Sequence, residues 1–387
     1  MGADRTGDAC ELRPRTARLT PRLLATIAID ARAAAEEPAG RGRVLRELLH
    51  ALHRRTDENR YLLYARTPWE AELDDRFTWR LRRIPDPLWN LWAAIDGSRR
   101  ADVLLSTNSY LTAWFTWVPT AAVVYDTVAW DSPDSAQRRA QRIERATIRL
   151  GLRRAQAAIC ISEATRRDLV SRFPWVEPKT RVVPLAADQR FSRRVRASVL
   201  HEVHRREALE EEFVLSVGTL EPRKNLVRLL EAHARLPRRV QLVLVGPRGW
   251  EFEPILARAG ARDEVRLLEQ VSDDDLVALY QSCTVFCYPS LYEGFGLPLL
   301  EAMAAGAACV TSGVSSLPEV GGDAVRYVDP TSVEEIRSAL ADLIDDAPAR
   351  VELGRRARER AALFSWDRTA KGTLDALLGL VTGSKGG

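Results

Sequence analysis

Short apolar β-type runs and helical patterns alternate along almost the whole chain, and the alternation stops once and starts again. This constrains the fold more than any single motif, because strand–helix alternation buries parallel sheets under covering helices. In the first run, "LLATIAID" ends at Asp30. "RVLRELLHALHRR" follows, with Val44, Leu45, Leu48, Leu49 and Leu52 at helical spacing. "YLLYA", "DVLLS", "AAVVYD" and "AAICIS" are the further strand candidates, and Ser162 opens "SEATRRDLVSRF" as a good N-cap. The stretch "RFSRRVRASVLHEVHRREALEEE" is charged and holds no strand. The alternation then restarts with "FVLSVG", "VQLVLVG", "EVRLLEQ", "TVFCYPS", "AACVTS" and "AVRYVDP", each run but "AACVTS" followed by a helical pattern, the last of them "SVEEIRSALADLI". The reading is α/β, with two doubly wound Rossmann-like domains facing across a cleft. A chain of 387 residues suits two domains. The expected divisions are a flexible tail over 1–22, an N-terminal domain over 23–200, a C-terminal domain over 201–362, and a helix over 363–382 that crosses back to the N-terminal domain.

Composition narrows the class. With 57 basic and 53 acidic residues, the +4 balance gives no argument for nucleic acid. Five cysteines are an odd, sparse set, and Cys160, Cys283, Cys287 and Cys309 lie in apolar runs, so buried thiols in a reducing, cytoplasmic setting are expected. His201 and His204 form H-x-x-H without a further ligand pair, so no metal site is expected. No run approaches the ~20 apolar residues of a membrane span, and the first residues lack the apolar core of a signal peptide.

One stretch carries chemistry. In "LYEGFGLPLLEAMAAG", Glu293 and Glu301 flank a turn holding Gly294, Gly296 and Pro298. "TVFCYPS" reads as a buried strand and "PLLEAMAAG" as a helix with proline near its start and Gly306 at its stop. The loop between them lies at the carboxyl end of a strand, where doubly wound folds bind ligands. The glycines admit close approach, the helix start favours an anion, and the carboxylates suit vicinal diols. Glu301 is read in the first helical turn, where the plain alternative is a residue that favours the helix dipole. A phosphate between two polyols describes a nucleotide-diphosphate sugar. "FVLSVGTLEPRKNLVRLLEAH" adds Gly218, then Arg223 and Lys224 beside a helix start, a pair suited to a diphosphate. The plain alternative is a solvated surface pair.

Together "SVGTLEPRKNL", "LVGPRGW", "VSDDDLVALYQSCTVFCYPSLYEGFGLPLLEAMAAG" and "SSLPEV" resemble retaining glycosyltransferase family 4, of the GT-B fold, nearest the bacterial mannosyltransferase-like subgroup. The likeness continues at "IAIDARAAAEEPAGRGRVLRELL", "VVYDTVAWDSPD", "ICISEATRRDLV" and "FSWDRTAKGTLDALL", and spans roughly residues 24–380 in the expected order. The resemblance implies a donor ribose on Glu301 and a transferred sugar on Glu293, with backbone N–H groups around Gly294, Phe295, Gly296 and Leu297. It implies Arg223 and Lys224 on the diphosphate near Gly218, Gly40 and Gly42 against the donor, Asp126 as the aspartate of a His–Asp pair, and the base near Val271. Three positions depart from the pattern: Tyr125 replaces the histidine, Thr219 stands where many members have arginine, and Glu269 where glycine is common.

The implied function is metal-independent transfer of a hexose, in this subgroup mannose from GDP-mannose, to a sugar or lipid-linked acceptor in bacterial glycan, glycolipid or natural-product biosynthesis. No cofactor is implied, since the nucleotide sugar is a co-substrate. The D-x-D in "SDDDL" reads as a capping box of Ser272 and Asp275 rather than a metal signature. UDP- or dTDP-sugar donors, a non-catalytic GT-B partner subunit and a GT-B sugar-nucleotide epimerase are the alternatives. The basic helix Arg138–Arg154 and exposed tryptophans suit peripheral contact with the inner face of a membrane, against a plainer reading in which the helix docks on the sheet. Trp89, Trp92, Trp114, Trp117 and Trp130 offer aromatic surfaces to an acceptor, with core packing as their default.

Overall fold

A computed structural model describes residues 24–38, 40–128 and 138–384, the side chains of 138–144 and of 384 excepted. The tail expected over 1–22 and Trp130 lie outside the described residues. The first sheet holds β1 (Thr26–Asp30), β2 (Arg60–Ala65), β3 (Phe77–Leu81), β4 (Val103–Ser106), β5 (Thr120–Val124), β6 (Ala157–Cys160) and β7 (Thr180–Val182). The second holds β8 (Phe213–Val217), β9 (Gln241–Val245), β10 (Val265–Leu268), β11 (Val285–Tyr288), β12 (Cys309–Ser312) and β13 (Arg326–Val328). Their orders are β3-β2-β1-β4-β5-β6-β7 and β10-β9-β8-β11-β12-β13. Pairing between neighbours is parallel throughout. In each sheet the order reverses beside the first strand, which opens a crevice at the carboxyl ends there. Strands β4, β6, β9, β11 and β12 are buried at every residue, as parallel strands covered on both faces must be.

Sequence patterning missed two strands. In β3, "FTWRL" lies at the sheet edge and is half-exposed, so no apolar run marks it. Strand β7, "TRV", is three residues long at the other edge. The helix Ala197–Glu207 crosses the boundary drawn at 200 and packs on the helix Asp273–Ser282 of the second unit.

The last two helices run in opposite senses of allegiance. Ala347–Ala361 packs on Leu297–Ala305 in the second unit, where Gly354 comes so close to Gly306 that an added Cβ would lie 2.2 Å from its carbonyl oxygen. Trp366–Ser384 instead lies against the helix Arg41–Arg54 and strands β4, β5 and β6 of the first unit. Thr369 Oγ1 donates to the Pro184 carbonyl at 2.7 Å, and Arg54 pairs with Asp367 at 3.2 Å. No helix among the described residues is long and apolar enough to cross a membrane.

Candidate functional site: a carboxylate network in the interdomain cleft

The carboxyl end of β11 leads through "PSLYEGFG" into the helix Leu297–Ala305, with Gly296 left-handed (φ 99°) before it and Gly306 left-handed (φ 83°) after it. Pro298 stands at the helix start, where its missing N–H costs nothing. Glu301 is the fifth residue of this helix, so it lies just past the first-turn position read from sequence. A dipole role at the helix start therefore does not account for it.

Glu293 is 6% exposed and its carboxylate is held from both sides. Oε1 accepts from Lys224 Nζ at 2.6 Å and from the Tyr288 hydroxyl at 2.7 Å, and Oε2 accepts from Arg223 Nη1 at 2.7 Å. Its backbone is fixed as well. The Glu293 N–H donates to Ser315 Oγ at 2.9 Å, and Ser316 Oγ donates to the Glu293 carbonyl at 2.9 Å. Burial alone would push this carboxyl up, but Lys224 and Arg223 outweigh burial and hold it at about 2. A depressed carboxyl contributes stability above the ordinary carboxylate range and loses it as pH falls through the folded value. The network is therefore expected to survive mild acid and to come apart only toward pH about 2. A carbon-13 titration of the Glu293 carboxylate checks this, and an ordinary carboxylate midpoint would refute it.

The plain alternative for Arg223 and Lys224, a solvated surface pair, does not hold: Lys224 is buried and Arg223 half-buried. Lys224 is 7% exposed and also contacts the Tyr288 hydroxyl at 2.5 Å. Its aliphatic chain passes over Gly218, where an added Cβ would lie 3.2 Å from Lys224 Cε, so the missing side chain makes room for the lysine. Arg223 donates Nε and Nη2 to Glu221 at 3.0 and 2.6 Å and a second Nη1 bond to the Tyr292 carbonyl at 2.8 Å. Glu221 and Glu293 thus balance the two cations. Subtracting these bonds from the donors each side chain owns leaves one Nη2 hydrogen on Arg223 and one Nζ hydrogen on Lys224. Burial lowers the Lys224 pKa against the pull of Glu293.

The first domain closes over this loop. An added Cβ on Gly294 would lie 2.1 Å from the Tyr125 carbonyl oxygen and 3.0 Å from Asp126 Cβ. Ser162 Oγ and Thr165 Oγ1 donate to the Gly294 carbonyl at 2.6 and 3.0 Å, while Ser162 Oγ caps its own helix by accepting from the Thr165 N–H. Tyr292 donates to Asp168 at 2.8 Å, and Glu319 accepts from the N–H groups of Glu163 at 2.8 Å and Ala164 at 3.4 Å, at the start of the helix Glu163–Arg172. Asp126 follows β5 and accepts from the Val128 N–H at 3.1 Å. Burial raises its pKa, opposed by that hydrogen bond and by Arg223, which places the carboxyl within electrostatic reach of the Glu293 network. Burial pushes the Tyr125 hydroxyl well above the usual tyrosine range.

The remaining positions divide. Gly40 is left-handed (φ 56°) and an added Cβ there would meet nothing within 4 Å, so its backbone is open to approach. Gly42 is pressed on its own chain, 1.8 Å from the Glu37 oxygen by the same measure. An added Cβ on Gly296 would lie 2.8 Å from Leu317 Cδ2. Phe295 is buried against Phe364, while Val271 and Leu297 are half-buried at the core margin. Ser272 Oγ accepts from the Asp275 N–H at 3.1 Å, the cap read from "SDDDL". Glu269 pairs with Arg248 at 2.5 Å. Cys160, Cys287 and Cys309 are buried and Cys283 half-buried. Trp89 is fully buried, whereas Trp114 and Trp117 are exposed. The first seven residues of the basic helix Arg138–Arg154 have side chains outside the described residues. A separate cavity of about 490 Å³ between Arg54–Asn59 and the last helix opens at the amino ends of β1 and β2, away from these groups.

Sequence reasoning missed Tyr288, Ser315 and Ser316, the groups that hold Glu293, although "SSLPEV" had been marked by resemblance. It also missed the Glu301 partners. Glu301 is 4% exposed; Oε1 accepts from Arg43 Nη1 at 2.9 Å and Oε2 from the Tyr280 hydroxyl at 3.1 Å. Burial raises its pKa, opposed by Arg43.

Residues 38–191 match the family described as Glycosyltransferase Family 4, and residues 201–360 match Glycosyl transferases group 1, leaving only a short segment between them. The chain is 35% identical over 229 residues to O-antigen chain mannosyltransferase B of Escherichia coli, covering 57% of this chain and 60% of that one. It is 34% identical over 226 residues to the MMP alpha-(1->4)-mannosyltransferase of Mycolicibacterium hassiacum, covering 56% and 52% respectively. The matches thus span less than two thirds of these relatives. Anabaena Alr3699/HepE, solved in complex with UDP-glucose, superposes with a TM-score of 0.72 at 17% identity, over 91% of this chain and 100% of that one. The two facing parallel sheets are the GT-B fold.

Proposed function

We propose, from the premise that the chain belongs to the glycosyltransferases, family 4 in its first half and group 1 in its second, that it moves a hexose from a nucleotide-diphosphate sugar to an acceptor hydroxyl with retention of configuration. The observation that carries this reading is the Glu293 network at the carboxyl end of β11, with the first domain's Tyr125–Asp126 segment seated over it. Glu301, one turn into the following helix, is assigned to the ribose, whose diol would take its remaining lone pairs. The mannosyltransferase relatives favour mannose as the sugar, and the donor in this reading is GDP-mannose. UDP-glucose in the HepE complex keeps a UDP-sugar as the second reading. The acceptor is a sugar or a lipid-linked sugar.

In this mechanism the bond from the sugar's anomeric carbon to the diphosphate oxygen breaks, and a bond to the acceptor oxygen forms on the same face. The acceptor proton passes to the departing phosphate oxygen. Arg223 and Lys224 each offer one hydrogen to that oxyanion, and Glu293 keeps both cations charged and in place. Because they supply the charge, turnover should persist in excess chelator. The closed cleft keeps water from the anomeric carbon.

Purified protein should release GDP from GDP-mannose only when an acceptor saccharide is present, and nuclear magnetic resonance should find an α-linkage made from the α-donor. Nucleotide release or sugar inversion without acceptor would favour an epimerase, and an inverted linkage would exclude this mechanism. Glu301→Gln preserves shape but weakens the acceptor for the ribose. A charge-assisted hydrogen bond contributes roughly 1.5–3 kcal/mol, so donor affinity should fall about tenfold or more. Calorimetric titration at unchanged melting temperature checks it; unchanged affinity would remove Glu301 from the donor site.

A further inference from the structure

Arg43 belongs to the first domain, in the opening turn of the helix Arg41–Arg54, yet its guanidinium ends in the second. Nη1 donates to Glu301 Oε1 at 2.9 Å and Nη2 to Asp273 Oδ1 at 2.5 Å. The other Asp273 oxygen accepts from Arg190 Nη1 at 2.6 Å, and Arg190 is fixed in turn by Asp188 at 2.5 Å. The Arg43 guanidinium lies 5.9 Å from the ring of Phe191, which packs edge-on to Tyr280, the second partner of Glu301. One buried carboxylate is thus held by one group from each domain.

We propose that Arg43 is a positioning residue that couples donor recognition to domain closure, by holding Glu301 aimed at the ribose only when the two domains meet. The inference rests on the donor-site reading of Glu301. A carboxylate has about four lone-pair sites, and Arg43 and Tyr280 use one on each oxygen. One site on each oxygen remains, a match for the two hydroxyls of a ribose, so Arg43 and the ribose bind together rather than compete. The geometry also gives Arg43 a specific consequence of loss. Without it Glu301 is buried beside Tyr280 with Asp273 nearby and no cation bonded to it, so the carboxyl takes up a proton more readily and one lone pair is lost.

The test is calorimetric titration of wild type, Arg43→Ala and Arg43→Lys with GDP and UDP and with their 2′,3′-dideoxy analogues, across pH 6 to 8.5. For the diphosphate that wild type binds, Arg43→Ala should weaken the ribose form about tenfold. The weakening should deepen toward pH 6, and the dideoxy form should be unaffected. Arg43→Lys should recover much of the loss. Equal weakening of ribose and dideoxy forms would assign Arg43 a merely structural role and overturn the inference. So would unchanged or tighter binding of the ribose form by Arg43→Ala. Wild type that binds none of these diphosphates would overturn the donor-site reading itself, and the inference with it.

Discussion

Replacing Lys224 by alanine is expected to damage both the fold of the second domain and its chemistry. The lysine is 7% exposed and bonded to Glu293 and Tyr288, so its removal leaves a buried carboxylate with Arg223 as its only cation. Breaking a buried ion pair costs about 3–5 kcal/mol. The lower end applies here, because Arg223 still holds the other oxygen. Loss of a donor at a developing oxyanion costs roughly a hundred- to a thousandfold in rate. Thermal melting and turnover measure the two effects. A double variant, Lys224→Met with Glu293→Gln, separates them, since removing both charges of a buried pair is often close to neutral for stability. It should melt near wild type and remain inactive. A double variant that recovers both stability and turnover would reduce the network to a structural ion pair.

Gly294→Ala is expected to act through the interface between the domains. The residue has no left-handed backbone that would forbid a side chain, so the second domain itself tolerates the methyl group. The obstacle is the first domain's Tyr125 carbonyl, 2.1 Å from where that methyl would sit. It is backbone, and cannot swing aside. The loop or the domain must shift, and a displacement near 1 Å in an active site costs on the order of a hundredfold in rate. Turnover should fall by about that factor while each domain keeps its melting behaviour, and small-angle scattering should find a more open molecule. Wild-type turnover in this variant would mean that the closed seating of the loop is not used in catalysis.

The contrast between these residues marks what a sequence can carry. Strands such as β9 and β11 are legible because burial on both faces forces an unbroken apolar run. The edge strands β3 and β7 are not, because solvent relaxes that demand. The loop around Glu293 is legible through its proline, its glycines and Gly306, which are local conformational requirements. What those glycines face is not local. Gly294 reads as room for a ligand, and its neighbour turns out to be the Tyr125 carbonyl in the other domain. Lys224 reads as one of a diphosphate-binding pair, but its burial is not legible, because nothing near it in sequence announces that Gly218 gives it passage or that Tyr288 and Glu293, the latter 69 residues on, receive it. The Arg43–Glu301 pair, separated by 258 residues, leaves no local signal at all.

The central claim is that one extended donor lies along the carboxyl end of the second sheet, ribose toward Glu301, diphosphate beside Arg223 and Lys224, and sugar toward Glu293. A crystal structure of the protein with GDP-mannose bound tests it most directly. The account predicts both ribose hydroxyls within hydrogen-bond distance of Glu301, a diphosphate oxygen on the remaining hydrogens of Arg223 and Lys224, and the mannose between the loop at 293–297 and Asp126. A nucleotide found elsewhere on the chain, or one in the cleft whose diphosphate lies out of reach of both Arg223 and Lys224, would contradict it.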